Sequence, residues 1–505
     1  MSRAGKPRIL QNMGPYSVAI QVIALLIHFV DYAKYQIAGI VLGLARLRSQ
    51  IAIISGQQAE TIFNVSLRDE IGTLVTKDSV PSFALDLKPG RPSPICSPAL
   101  GATMLRFKLA LVDEQDLSNL KAAVDQALKQ EATFEMRGHQ IGGDEVLAGR
   151  AGLLAALLDV KKEVASLQAE FDGTAAEVAR EIEQFANDAI PKLTKTILKT
   201  GKESAEERMK SNPELDGIGP ISWLWVDSYH SLGAVHGITG ILAVLLNPQI
   251  GAIDGEVKKH YPEMAETISA LCRVCIENNG NLPMSIPPWP SDSTRSSPLV
   301  QICHGIPGLL LLLAAAALNI DFSQQYYKPE WIETVYLGSR RVWDNGILSK
   351  GGGLCHGIAG NAWPLLILHD CFEYACIPAK LLDGCSGEVK RAFLKEKNLT
   401  GDWLLSRALR MLQECSKTRP FENDERYRMP DHPYSLFEGL AGTMCAWTEA
   451  VLTLQTRIIR LDAFNRGEFD FPKDSAEEVK ARFLELLEAR RGFPGIDMDF
   501  SCFKI

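Results

Sequence analysis

The sequence predicts an all-α chain whose helical hairpins close into an α/α toroid. Three observations predict it. A short motif recurs: His236-Gly-Ile-Thr-Gly240, His304-Gly-Ile-Pro-Gly308, His356-Gly-Ile-Ala-Gly360 and Glu438-Gly-Leu-Ala-Gly442, with Gly149-Arg-Ala-Gly152 as a shorter relative. Each copy runs into an apolar stretch such as Ile241–Leu246 or Leu309–Leu313, so the glycines mark turns that open helices. The copies lie unequally, about 50 to 90 residues apart, which is room for two helices and a variable loop. An open solenoid keeps a stricter period, whereas hairpins of unequal loop length fit a closed ring. Finally, alternating β-branched runs between tight turns are almost absent. In such a ring every Gly-rich turn faces one common mouth, and motifs distant in sequence meet there.

Taken in order, the first 48 residues are basic, with Arg3, Lys6, Arg8, Lys34, Arg46 and Arg48 against Asp31 alone. Residues 18–30 are apolar but are interrupted by Gln21 and His28, and the run is too short to span a bilayer. The basic residues stand far from it and no small-residue cleavage site follows, which argues against a leader peptide. The expectation is a buried helix pair, with peripheral membrane contact through this basic start as the alternative. Residues 79–101, rich in Pro, Ser and Gly, read as loop. Residues 153–187 mix Leu, Ala and Val with charges at helical spacing, and 191–199 continue similarly. Helices are also expected at 262–277, 309–318, 403–415 and 475–490. The stretches 279–298 and 419–434 read as loops that lead into repeat motifs, and 374–401 as a charged insertion between repeats.

Composition bounds the function. A chain of 505 residues with 46% hydrophobic content builds a large core. A net charge of −8 argues against nucleic acid as a partner, since phosphate binding needs a basic face. Eleven cysteines, an odd number without a tight framework, point to a reducing compartment and hence a cytoplasmic chain. The Asn-x-Ser/Thr matches at Asn64 and Asn398 carry no weight there.

The residues that suit chemistry sit on the turns. Cys303, Cys355 and His356 offer two thiols and an imidazole, a zinc-type donor set, with the Lys350-Gly-Gly-Gly-Leu354 run giving the turn its freedom. Two buried small hydrophobes are the bland alternative for the cysteines. His236 takes the repeat position without a Cys and is placed to act as general acid or base, or else to cap a turn. His304 either lines the pocket or supports Cys303. Lys350 and Arg428 flank the mouth, where they would hold substrate carboxylates or stand as solvated charges. Glu145 and Glu438 either complete a polar rim or cap helices. Cys272-Arg-Val-Cys275 is a formal CxxC, but it lies in a helical run with no Gly turn to gather the thiols, so it reads as helix face.

The segments SLGAVHGITGI (231–241), ICHGIPG (302–308), KGGGLCHGIAGNAW (350–363) and PYSLFEGLAGT (433–443), with Gly280-Asn281-Leu282-Pro283 as lead-in, resemble the lanthionine synthetase C-like family over roughly 140–450. The resemblance implies seven hairpins in an inner and an outer ring around one zinc ion. It implies Cys303, Cys355 and His356 as ligands, with water or an incoming thiol as the fourth. His236 matches the family's proposed acid/base histidine, Lys350 and Arg428 match positions associated with glutathione in eukaryotic members, and Glu145 aligns with an acidic position. Ile302 stands where the family usually has Trp. The first repeat, around Gly14-Pro-Tyr-Ser-Val, lacks the Gly-rich turn, and Cys96-Ser-Pro-Ala-Leu-Gly101 is a poor version of the second. The division expected is therefore 1–135 for divergent N-terminal hairpins, 136–460 for the toroid with its zinc site, and 461–505 for a C-terminal helix and tail.

By the same resemblance, the expected activity is addition of a thiol, glutathione in eukaryotic members, to dehydroalanine or dehydrobutyrine residues of peptides or proteins. A non-catalytic zinc- and glutathione-binding scaffold, cytoplasmic or peripheral at the plasma membrane, is the second expectation. A glycosidase-like α/α barrel would need paired carboxylates; here the turns carry His and Cys instead.

Overall fold

The computed structural model describes residues 90–502, apart from 109, 168–170, 172, 212–216, 291–296, 375–376, 378, 397–398, 420, 469–470, 472 and 501, together with Gln50 and the strand pair Thr61–Ile62 and Val65–Ser66. The expectations for the basic N-terminus, its first repeat, Asn64 and Asn398 lie outside the described residues. Among these residues the helices form six hairpins. They are α1 (Pro98–Lys108) with α2 (Glu114–Lys129), α3 (Arg150–Leu167) with α4 (Gly173–Ser211), and α5 (Ile238–Leu245) with α7 (Tyr261–Glu277) through the short α6 (Pro248–Ile253). Next come α8 (Ile306–Leu318) with α10 (Pro329–Asn345) through α9 (Ile320–Tyr326), α11 (Ile358–Glu373) with α13 (Gly401–Glu414) through α12 (Gly387–Arg391), and α14 (Leu440–Asn465) with α15 (Glu477–Glu488). The first helix of each hairpin packs on the next, in the order α1, α3, α5, α8, α11, α14. The second helices form the outer layer, with α2 against α4 and α7 against α10. The chain is all-α, as the repeats predict.

Composition separates the two layers. Every residue of α8 is buried, and so is α11 from Ile358 to Cys371; a helix apolar on all sides belongs inside. In contrast, α10 buries Trp331, Ile332, Val335, Tyr336 and Val342 and leaves Arg340 and Asp344 outward, as an outer helix should. No single helix among the described residues is long and apolar enough to cross a membrane, and the apolar pair α8–α9 is bent by 103°.

The inner helices start in a way that explains the repeated glycines. Gly237, Gly305, Gly357 and Gly439 are N-caps without a side-chain bond. The loop before the helix supplies the acceptors instead. Ile358, Ala359 and Gly360 donate their N–H groups to the carbonyls of Gly351, Gly352 and Gly353. Arg150 and Ala151 do the same to Gly143 and Asp144, and Leu440 to Pro433, always seven residues back. Folding the loop this tightly onto the helix leaves no room for a Cβ. One at Gly360 would lie 1.8 Å from the Leu354 oxygen, and one at Gly357 would lie 2.4 Å from the Gly353 nitrogen. The outer α2 is capped conventionally, by a reciprocal box between Asp113 and Asp116.

Three features depart from the sequence reading. The helix expected at 153–187 is two, since α3 ends at Leu167 and α4 begins at Gly173, with buried Phe171 between them; α4 then runs through Pro191 and absorbs 191–199. A hairpin of β1 (Thr133–Met136) and β2 (His139–Gly142) turns on Arg137 and Gly138, both at positive φ, as a two-residue turn of this twist requires. Its only sequence signal was the Arg-Gly pair.

The third feature is the C-terminal tail. Residues 489–494 are all buried, and β5 (Gly492–Phe493) pairs with β6 (Ile496–Asp497). This tail packs against the inner helices α3 and α5. Phe493 stacks edge-on with Trp363 of α11, Lys162 of α3 donates to the Arg490 carbonyl, and Asn247 donates to the Asp497 carbonyl. Buried Arg490 bonds Asp370 and Glu449 at 2.6 Å each, and Gln50 reaches the same Glu449. Lys108 pairs with Asp159 at 2.7 Å and Glu163 at 3.0 Å, and Arg491 joins Glu163. Charges taken out of water are tolerated when paired in this way.

Candidate metal centre

The turns are stitched side by side around the mouth by backbone hydrogen bonds. Ser93 N–H donates to Ala148 O, Leu147 to Val235, Ala234 to Ile302, Cys303 to Cys355, and Leu354 and Cys355 to Phe437. The Cys96 turn, a poor motif by sequence, occupies its place in this series through Ser93. Close contact again demands glycine. A Cβ at Gly233 would lie 1.7 Å from the Cys303 oxygen, so Gly233 lets the Cys303 turn lie against the turn that carries His236. Neither Ser93 nor Gly233 stood out in the sequence.

This stitching brings Cys303, Cys355 and His356 together. One donor atom from each lies within 4.8 Å of the others. Cys303 is buried; Cys355 and His356 are half-buried. Gln301 Nε2 donates to Cys303 Sγ at 3.1 Å, a partner that sequence reasoning missed. The Cys355 thiol is held well above its usual pKa, first by its hydrogen bond with Cys303 and then by burial, with His356 pulling the other way. A negative charge on Cys355 beside a second sulfur is disfavoured without a cation. A bound cation reverses that preference, since thiolates are the metal-ligating form. The donor set, two sulfurs and an imidazole nitrogen on a turn of restricted access, fits zinc.

His236 stands beside this cluster. Its Nδ1 lies 2.7 Å from Glu145 Oε2, so the sequence's polar-rim glutamate is its direct partner. Burial alone would lower the His236 pKa; the charge and hydrogen bond of Glu145 outweigh it and raise the value, with a smaller contribution from Cys355. The imidazole is thereby held toward its protonated form, with Nδ1 committed to the carboxylate. The His236 ring stacks on His304 with centroids 5.5 Å apart, and Trp225 packs against both, at 5.7 and 5.5 Å. Trp225 touches Trp289, which touches Tyr229. These aromatic residues were not singled out by sequence, because they sit in irregular segments without periodicity.

Lys350 and Arg428 lie on neighbouring loops beside the Cys355 turn. Arg428 N–H donates to Ser349 O at 2.7 Å, and both side chains are exposed, with no ion pair among the described residues. Glu438 sits on the adjoining turn, where His432 approaches it at 4.0 Å. The Cys272–Cys275 pair is buried in α7, its thiols pushed up by burial, Cys275 to about 12. A second cluster, His369, Glu373 and Asp402, also brings three ligand-type atoms within 4.8 Å. There Arg457 already bridges the carboxylates, 2.9 Å from Glu373 and 2.7 Å from Asp402.

Comparison with known proteins agrees with this architecture. The family described as lanthionine synthetase C-like protein matches residues 85–375. A curated relative, glutathione S-transferase LANCL1 of Danio rerio, is 25% identical over 306 residues. The match covers 60% of this chain and 57% of that protein, so the chain aligns with little more than half of its relative's length.

Proposed function

Since the chain belongs to the lanthionine synthetase C-like family, we propose that it adds the thiol of glutathione to dehydroalanine or dehydrobutyrine residues of peptides or proteins. The observation that carries the reading is the meeting of Cys303, Cys355 and His356 within 4.8 Å, beside a histidine already paired with a carboxylate. The name of the zebrafish relative supports glutathione as the thiol.

In this reading Cys303, Cys355 and His356 hold zinc. Bound zinc supplies the Lewis acidity that keeps a thiol ionised at neutral pH. The chain's own residues do the rest. Lys350 and Arg428 hold the carboxylates of the tripeptide at the rim. The thiolate sulfur forms a bond to the β-carbon, and the π pair of the C=C bond moves toward the α-carbon and its carbonyl. Protonated His236, charged because Glu145 holds Nδ1, gives its other ring proton to the α-carbon. The proton released from the thiol balances the one His236 gives up. General acid catalysis of this kind contributes about 10²–10⁴-fold.

The test is mass spectrometry of a dehydroalanine peptide incubated with glutathione and the zinc-loaded chain. A saturated adduct that forms with wild type and not with Cys303→Ala supports the reading. Glutathione binding without any adduct would leave the non-catalytic scaffold in its place.

A further inference from the structure

Two unlike groups of residues adjoin the repeat turns. Exposed Lys350 and Arg428 stand beside the Cys355 turn. Next to His236 and His304 stands a wall of three half-buried aromatic rings. Tyr229 and Trp289 are 4.6 Å apart, Trp289 and Trp225 5.3 Å, and Trp225 reaches both histidines. The wall is rigidly built. Trp225 N–H donates to Tyr229 O at 2.8 Å, and Gly142 N–H of β2 donates to Trp225 O at 3.0 Å. Asp227, at the turn between Trp225 and Tyr229, takes bonds from the Gln140 N–H at 3.1 Å and from His139 at 2.9 Å. On the far side, β3 (His230–Ser231) pairs with β4 (Ser285–Ile286), which sets Trp289 beside Tyr229. Three large rings held part-exposed beside an acid/base histidine have surface left to cover. The cationic group suits the anionic thiol, which leaves the aromatic wall for the other reactant.

We propose that Trp225, Tyr229 and Trp289 form an acceptor-side subsite that takes a bulky apolar or aromatic residue flanking the dehydroamino acid of the peptide; the inference rests on the thiol-addition reading above. Aromatic faces also attract cations, but the described carboxylates nearest the rings are engaged, Asp227 with His139 and Glu145 with His236. An aromatic side chain gains from area buried and from ring–ring geometry together. The subsite sets which peptides are modified, while the thiol and imidazole groups set the chemistry.

The test uses the full-length, zinc-loaded protein and fluorescein-labelled peptides in which alanine replaces dehydroalanine, flanked by Phe, Lys or Gly. Wild type binds the Phe peptide about tenfold more tightly than the Gly peptide. Trp289→Ala reduces that gap to about twofold or less, and Trp289→Phe restores most of it. In turnover of the matching dehydroalanine peptides, Trp289→Ala raises KM for the peptide and not for glutathione. Circular dichroism and zinc content identical to wild type show that the variant folds; Tyr229→Ala serves if it does not. Equal binding of Phe and Gly peptides, tightest binding of the Lys peptide, or a rise in KM for glutathione alone would overturn the assignment. The two readings fail separately. Phe-selective binding with no turnover removes the reaction and keeps the peptide subsite, whereas turnover without Phe preference keeps the reaction and removes the subsite.

Discussion

Cys303, Cys355 and His356 bring three donor atoms within reach of one ion, and no lysine or arginine bridges them among the described residues. His369, Glu373 and Asp402 meet the same distance criterion, but there the cation is built in as Arg457. The two histidines nearby differ in the same sense. His369 is buried, and burial lowers its pKa to about 4 against the opposing pull of a backbone hydrogen bond at Gly401. His236 is also largely enclosed, yet Glu145 holds it above its usual value. Convergence of ligand-type atoms therefore does not by itself make a metal site. What differs is the built-in cation: Arg457 already pairs with the carboxylates of the second cluster, whereas the Cys303–Cys355–His356 cluster has no such partner among the described residues.

Substitutions can break that contrast, beginning with the largest effect. Cys303→Ala removes turnover to background in an assay of adduct mass, whereas His369→Gln leaves zinc content unchanged; a loss of one zinc in the second variant would show the contrast to be wrong. His236→Ala keeps zinc and lowers kcat by about 10²–10⁴-fold, read from single-turnover rates. Arg457→Met leaves Glu373 and Asp402 facing each other without their cation. It lowers stability by about 1–2 kcal/mol in denaturant titration, discounted because Asp402 is largely exposed. Gain of a second zinc by Arg457→Met in the presence of His369 would mean that the arginine only masks a metal site.

The smallest effect concerns pH. Glu145→Gln removes the charge that outweighs burial at His236, so its pKa falls toward the behaviour of His369. Since the acid is active only when protonated, the alkaline limb of the rate profile moves to lower pH, by about one unit. An unmoved limb would show that another group supplies the proton.

Much of this was legible in the sequence because it was written in glycine and in uninterrupted apolar runs. The His-Gly-Ile-x-Gly motifs betray turns whose backbone admits no Cβ, and Leu309–Leu313 betrays a helix buried on all sides. The metal-type cluster followed once the turns were assumed to share one mouth. Other features had no local signature. Trp225 and Trp289 owe their roles to a backbone pairing with β2 and to a loop distant in sequence. Arg490 and Arg491 look like a solvated pair beside a helix end; only the surrounding hairpins, through Asp370, Glu449 and Glu163, make their burial possible. Gly233 and Gln301 act on a neighbouring turn and the Cys303 sulfur, contacts that no spacing rule encodes.

The most direct test of the central claim is elemental analysis of the purified protein beside the Cys303→Ala/Cys355→Ala double variant. One zinc per chain in the wild type, and none in a folded double variant, is the result expected if the mouth holds the metal and Arg457 fills the second cluster. A folded wild type without zinc, or a double variant that retains it, would contradict the account.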